Sequence, residues 1–323
     1  KWYLWGAIAQ FRMLVKTKFS IKDLENLSGI KAHTIRIWEK RYGVLEPSRT
    51  DTNIRTYSLE NLKHLLNISF LYEHGYKISK IAKLSKKELC GLITEMAVVH
   101  EEQHAIHQLK GAMFQFDQQL FANTYHALLK TKDFPEIFTS IFIPLLTDIG
   151  FLWQVGTIDP CHERFVSEMV KQKIIVNIEK IYTERALQKP PSFALFLPHK
   201  EIHDIGLMYA NYLCISKGIN TIYLGTNISI TGLKEIVNHH HNITFLTYLT
   251  VVPSDGTVGQ FCKKFNAEFG KNKTYDLWLC GSSATFLFKN YINLLNNNGT
   301  KNCNHRFWLF LIGSRVISRP RRS

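Results

Sequence analysis

The sequence predicts a multidomain chain of mixed α and α/β class: two short helices with a hairpin, then a helical bundle, then a Rossmann-like (flavodoxin-like) parallel α/β fold. Three observations carry that reading. Between Phe19 and Tyr57, two helix-length segments flank a glycine turn and lead into a short polar extended run. Over residues 89–186, apolar side chains recur at three- and four-residue spacing, the mark of packed antiparallel helices. Beyond Gln188-Lys189-Pro190-Pro191, where consecutive prolines stop any helix, strand-length apolar runs alternate with helical ones. The corresponding domains are residues 17–88, 89–186 and 192–313.

The first elements have recognisable ends. Ser20 is a good N-cap for a helix over Ile21–Leu27, with Asp23 in the first turn where the helix dipole favours negative charge. Ser28-Gly29-Ile30 turns the chain, and Lys31–Arg41 forms a second helix with Ile35 and Trp38 on one face. Two short helices about a glycine turn are a helix-turn-helix, and Trp38 belongs in its core. Arg49–Tyr57 reads as a wing, Ser58 caps a helix over Leu59–His74, and Ile78–Lys87 holds one more short helix. The bundle has loops near Lys132-Asp133 and Gly156–Pro160.

In the third domain, strands are predicted at Ser192–Leu197, Asn220–Leu224, Ile243–Thr250 and Tyr275–Cys280, with a fifth at Phe307–Ile312. Helices lie between them at Asp204–Lys217, Ile230–His239, Val258–Phe269 and Ser283–Leu295. Such a sheet binds ligands beyond the carboxyl ends of its strands.

The chain of 323 residues carries a net charge of +14, and the excess is regional. Residues 1–90 hold 17 Lys/Arg against 8 Asp/Glu, the last 23 residues hold six basic and no acidic side chains, and the middle is near neutral. A compact basic N-terminal domain suits a polyanion partner. The six cysteines are scattered without a CxxC pair, so neither a zinc site nor a disulfide framework is expected, in keeping with a cytoplasmic location. No apolar run is expected to cross a membrane. Residues 1–12 and 305–323 differ in character from their neighbours and are set apart from the expected fold. No catalytic triad, Walker loop or acid/base carboxylate pair is present, so no enzyme is predicted.

A second helix offering Lys31, His33, Thr34 and Arg36 near its N-terminal end can enter a major groove. Arg36 suits a bidentate bond to guanine, and Tyr42, Arg49 and Arg55 suit phosphate oxygens; Tyr57 and Arg41 are further candidate DNA contacts, though Lys40 and Arg41 equally suit a solvated charged face. The run Thr34-Ile35-Arg36-Ile37-Trp38-Glu39-Lys40-Arg41-Tyr42-Gly43, with Pro47, Arg49, Arg55 and Tyr57, resembles the MerR family of transcriptional regulators. That resemblance implies a winged helix-turn-helix bound to double-stranded promoter DNA as a homo-oligomer, a dimer or tetramer.

The turn after the first strand of the third domain reads Glu201-Ile202-His203-Asp204-Ile205-Gly206. A histidine there can offer Nε2 as an axial metal ligand while a carboxylate two residues earlier takes the Nδ1 proton and fixes the tautomer. The glycine lets a flat macrocycle approach the backbone. This is similar to the cobalamin-binding motif D/E-x-H-x-x-G, in which the histidine is the lower cobalt ligand. The resemblance further implies a nucleotide-tail lining from Thr247 and Leu249 in the third strand and from Gly281 after the fourth, where Ser282 replaces a second glycine.

Upstream, Trp153 and, ten residues later, Glu163 resemble the W-x9-E-H signature of light-sensing, cobalamin-binding MerR regulators of the CarH and LitR type. In those proteins a helical bundle covers the upper cobalamin face, and adenosylcobalamin sets the oligomeric state and promoter affinity. Arg164 departs from that signature, and Gln154 stands where photoreceptors place the second cobalt-binding histidine, unless His162 substitutes. Two rival readings are a regulator whose degenerate pocket answers another ligand or protein, and a corrinoid carrier subunit of a methyltransferase. The run His239-His240-His241 is a polar helix end, since consecutive helical positions diverge and cannot share one metal.

Overall fold

A computed structural model describes residues 18–184, 190–249, 257–269 and 275–280. Gly281, the expected helix at Ser283–Leu295 and the expected strand at Phe307–Ile312 lie outside the described residues. The chain divides into two compact units, Lys1–Val170 and Lys171–Ser323, a division that falls inside a helix before the expected proline linker.

The first unit opens with β1 (Lys18–Phe19), α1 (Ile21–Ser28) and α2 (Ala32–Tyr42). Ser20 and Asp23 form a reciprocal capping box at the start of α1, and Gly29, at φ 72°, ends it in the left-handed conformation a glycine tolerates. Strands β2 (Ser48–Arg49) and β3 (Arg55–Ser58) form the wing; β3 pairs antiparallel with both β2 and β1. Helix α3 (Leu59–Glu73) follows, capped by Ser58. Leu24, Ile35, Tyr57, Leu62 and Leu65 are fully buried, and Trp38 sits in this core with its ring edge-to-face on Tyr72 at 4.9 Å.

The expected single helix at Ile78–Lys87 is instead α4 (Ile78–Ile81) and the start of α5 (Lys86–Val99), because Ser85 and Glu88 make a second capping box that starts a new helix there. Helices α6 (Glu101–Gln115) and α7 (Gln118–Leu128) meet at Phe116, whose positive φ of 52° reverses the chain, and Asp117 caps α7. Helix α8 (Phe134–Gln154) contains one π turn at Phe138–Phe142. At 21 residues it is, by length and composition only, long and apolar enough to cross a membrane, which the sequence reading did not expect of any segment. Its apolar side is nonetheless bundle core, with Ile137, Ile141, Phe142 and Leu145 fully buried. Phe19 of β1 packs edge-to-face on Phe114 of α6 at 5.7 Å, so the reading head and the bundle share a core.

Helix α9 (Pro160–Glu184) runs past the division into the second unit. There a four-stranded sheet is built from β4 (Phe193–Phe196), β5 (Thr221–Gly225), β6 (Thr244–Tyr248) and β7 (Leu277–Cys280) in the order β5-β4-β6-β7. Every pairing is parallel, as the alternating pattern predicts. Helix α10 (Ile205–Ser216) covers one face over Leu195, Leu197 and Leu246. A 3-10 turn at Thr231–Leu233, α11 (Lys234–His239) and α12 (Val258–Phe269) belong to the other, where Phe196, Phe245, Phe261 and Phe265 form the core. Thr247 pairs with Phe196, so alternation sends its side chain to the α12 face and that of Tyr248 to the α10 face.

Candidate nucleic-acid interface and corrinoid site

Helix α2 buries Ile35 and Trp38 and turns an opposite stripe to solvent. His33, Arg36, Ile37 and Lys40 share that stripe, at helical spacing, and all four are exposed. Lys31 stands just before the helix, its ammonium 3.4 Å from Glu25, and Thr34 is half-buried at the edge. Past the stripe, the exposed Arg41 guanidinium lies 5.5 Å from the ring centre of Tyr42. These residues place a cationic and hydrogen-bonding edge on one short helix, the arrangement a major groove receives.

The wing departs from expectation. Arg55 and Tyr57 are expected DNA contacts, but both are turned to Glu39 on α2. Arg55 Nε donates to Glu39 Oε1 at 2.9 Å, and the Tyr57 hydroxyl donates to Oε2 at 3.0 Å. Tyr57 is fully buried, and burial, then the Glu39 bond, raises its phenol far above the usual range. Tyr57 is therefore a strut between wing and helix, and Arg55 shares that work because one carboxylate serves both. Arg49 remains at the surface, its guanidinium donating to Asn53 Oδ1 at 2.6 Å across the hairpin turn.

In the second unit the Glu201-to-Gly206 turn leaves the carboxyl end of β4. Glu201 is 3% exposed, and its Oε1 accepts both the backbone N–H of His203 at 2.9 Å and the His203 Nδ1 proton at 2.6 Å. The imidazole side chain is 51% exposed, and among the described residues no hydrogen bond is made by Nε2. The carboxylate thus selects the Nδ1–H tautomer and leaves Nε2 as a lone-pair donor. Asp204, expected near a cofactor, is held by Lys171 at 2.8 Å instead.

Two details differ from the expected pocket. The open side of Gly206 is filled by Tyr248: an added Cβ would stand 2.6 Å from Cε1 and Cζ of that ring. The glycine therefore admits a tyrosine, and a macrocycle reaches the backbone there only if Tyr248 turns away. Thr247, expected to line a tail beside that turn, faces the α12 layer. It is fully buried and its Oγ1 has no hydrogen-bond partner among the described residues. Leu249 is fully buried, its N–H donating to the Cys280 carbonyl at 2.7 Å. A corrinoid fits the oriented imidazole, and its closest approach is gated by one side chain.

Residues 19–88 match the model of the MerR HTH family regulatory protein, and residues 105–176 match the B12 binding domain. The chain thus joins a region similar to MerR helix-turn-helix regulators to a region similar to B12-binding domains. Over 231 residues it is 27% identical to the HTH-type transcriptional repressor CarH of Myxococcus xanthus, covering 69% of this chain and 76% of that one. It is 22% identical over 223 residues to the repressor CarA of the same organism, covering 66% and 70%. Among solved structures, the Methanosarcina barkeri monomethylamine corrinoid protein superposes with a TM-score of 0.46 at 14% identity, covering 56% of this chain and 86% of that one.

The B12-binding match lies on α6 to α9 of this chain, in the bundle, and includes Trp153 and Glu163. Trp153 ends α8 with its ring 52% exposed, an unusual place for a tryptophan that only filled a core. Glu163 is half-buried and accepts from Ser167 Oγ at 2.6 Å. Gln154 and Arg164 are exposed. His162, one option for a replacement cobalt ligand, is 1% exposed and stacked on Phe116 at 5.0 Å, turned into the bundle instead of toward Trp153's surface.

Sequence reasoning missed two residues of the helix-turn-helix head. Ile37, 53% exposed, sits one turn from His33, and that i, i+4 spacing was the available signal. Glu39 carries no local signal, because its two partners come from a strand 16 and 18 residues away.

Proposed function

We propose that this protein binds promoter DNA through residues 17–88, and that cobalamin, specifically adenosylcobalamin, sets its oligomeric state and thereby its promoter affinity. The bundle of residues 89–186 and the α/β fold of residues 192–313 form the sensing part. The observation that carries the corrinoid half of this reading is the Glu201–His203 pair: a buried carboxylate 2.6 Å from Nδ1 presents the other ring nitrogen outward. A bound corrinoid would supply a cobalt centre, and His203 is the residue that would hold it through Nε2. Glu201 holds the tautomer, the Lys171–Asp204 pair pins the start of α10, and Tyr248 must yield at Gly206. Trp153 and Glu163 are the bundle's contributions, in line with the likeness to CarH.

A light-driven switch that captures cobalt with a second histidine is not part of the proposal. Gln154 has no imidazole to offer, and His162 is packed between phenylalanines.

On the DNA side, Lys31, His33, Thr34, Arg36 and Ile37 read base edges, and Lys40, Arg41, Tyr42 and Arg49 hold the backbone. The test joins both halves. Protein incubated with adenosylcobalamin in darkness and desalted should keep the corrinoid spectrum, sediment as a larger species, and show altered affinity for its own upstream promoter fragment. His203→Ala should change the spectrum. Loss of the corrinoid on desalting, with promoter binding intact, would refute the cofactor while leaving a regulator; absence of any salt-sensitive promoter preference would refute the regulator itself.

A further inference from the structure

Cysteine spacing alone predicts no zinc site, because no cysteine has a second ligand in a recognised repeat. Folding assembles a candidate cluster where the loop after α8 enters the first turn of α9. One ligand atom each from Asp159, Cys161 and His162 lies within 4.8 Å of the other two. Cys161 Sγ is 3.9 Å from His162 Nδ1. Sulfur and nitrogen on one tetrahedral zinc ion, at bonds of about 2.3 and 2.1 Å, stand about 3.6 Å apart. Closing the pair onto an ion therefore takes a change of about 0.3 Å in their separation.

The surroundings suit a fixed ion. His162 is 1% exposed, between Phe114 at 5.5 Å and Phe116 at 5.0 Å. Among the described residues, Asp159 Oδ2 is buried with no hydrogen-bond partner, a costly position for a carboxylate oxygen that a cation would relieve. A nitrogen, sulfur and oxygen donor set selects borderline-soft divalent ions over magnesium or calcium.

We propose that Asp159, Cys161 and His162 bind a divalent cation of the zinc class, with one coordination position left to water. On binding, the Cys161 thiol gives its proton to solvent as the Sγ–metal bond forms, and the ion displaces the Asp159 backbone N–H that now stands 3.2 Å from His162 Nδ1. The site has a reason to matter. Thr157, at the start of the same loop, accepts a hydrogen bond from Asn26 of α1 at 2.8 Å, so an ion here braces the loop that the reading head touches. The inference is independent of the cobalamin reading.

The test uses the full chain, freed of metal by a chelator and kept without corrinoid. Titration with Co2+ should give one bound equivalent with thiolate-to-cobalt charge-transfer absorption, displaced by Zn2+. Cys161→Ser should abolish that band, and Asp159→Asn should weaken Zn2+ binding at least tenfold while keeping it. Absence of the band in the wild type, or its survival in Cys161→Ser, overturns the proposal, as does unchanged Zn2+ affinity in Asp159→Asn. A measurement on the unmodified chain guards against misfolded variants: Zn2+ should slow alkylation of Cys161, mapped by mass spectrometry, more than tenfold, and an unchanged rate also overturns the site.

Discussion

The junction between reading head and bundle is packed with imidazoles, and acid should loosen it. Phe70 of α3 is ringed by His74, His104 and His107, with centroids 4.6, 5.7 and 5.5 Å away, and the His100 ring lies tilted against His74 at 3.8 Å. Burial, assisted by Lys110, His104 and His74 and opposed by Asp148, pushes His107 down to about 4. In the unfolded chain a histidine titrates near 6.5, so the folded state refuses a proton that the unfolded state accepts. The stability tied to this neutral imidazole is thus complete above pH 6.5 and is lost as the pH falls toward 4.

Integrating the linkage from pH 7 to pH 5 gives a loss of about 2 kcal/mol from His107 alone, and His104, also lowered by burial, adds in the same direction. Urea unfolding of the full chain at the two pH values measures it, with His107→Gln as the partner that cannot titrate. The wild type should lose about 2 kcal/mol more than the variant over that interval. Equal losses in both proteins would refute the argument, since every other titrating group is common to them.

Further outcomes follow from the head and from the sheet. Glu39→Ala leaves the buried Tyr57 hydroxyl without its acceptor and should cost about 2 kcal/mol, most of it recovered in the double variant with Tyr57→Phe; thermal denaturation of the set checks this. Arg36→Ala should weaken promoter binding by about 1–3 kcal/mol and relax sequence preference. Arg49→Ala should instead weaken specific and random duplex alike, with a shallower salt dependence in gel shifts. Tyr248→Ser, which clears the space beside Gly206, should raise corrinoid affinity at least tenfold in an equilibrium absorbance titration, whereas Gly206→Ala should lower it.

Local chemistry wrote much of this protein legibly. Ser20, Gly29 and Ser58 mark helix ends through bonds to their own neighbours, so their effect is readable within a few residues. The order of strands and helices after the prolines implied a parallel sheet because hydrophobic period reports on secondary structure directly. The Glu201–His203 bond was foreseeable for the same reason: its partners are two residues apart. What the chain order could not reveal were contacts closed over distance. Glu39 gathers Arg55 and Tyr57 from the wing, turning two expected DNA contacts into struts. Strand pleat and pairing send Thr247 to one face and Tyr248 to the other, where it fills the space at Gly206. A side chain's type dictates what bonds it is able to make; only packing decides which partner arrives first, and burial makes that choice binding.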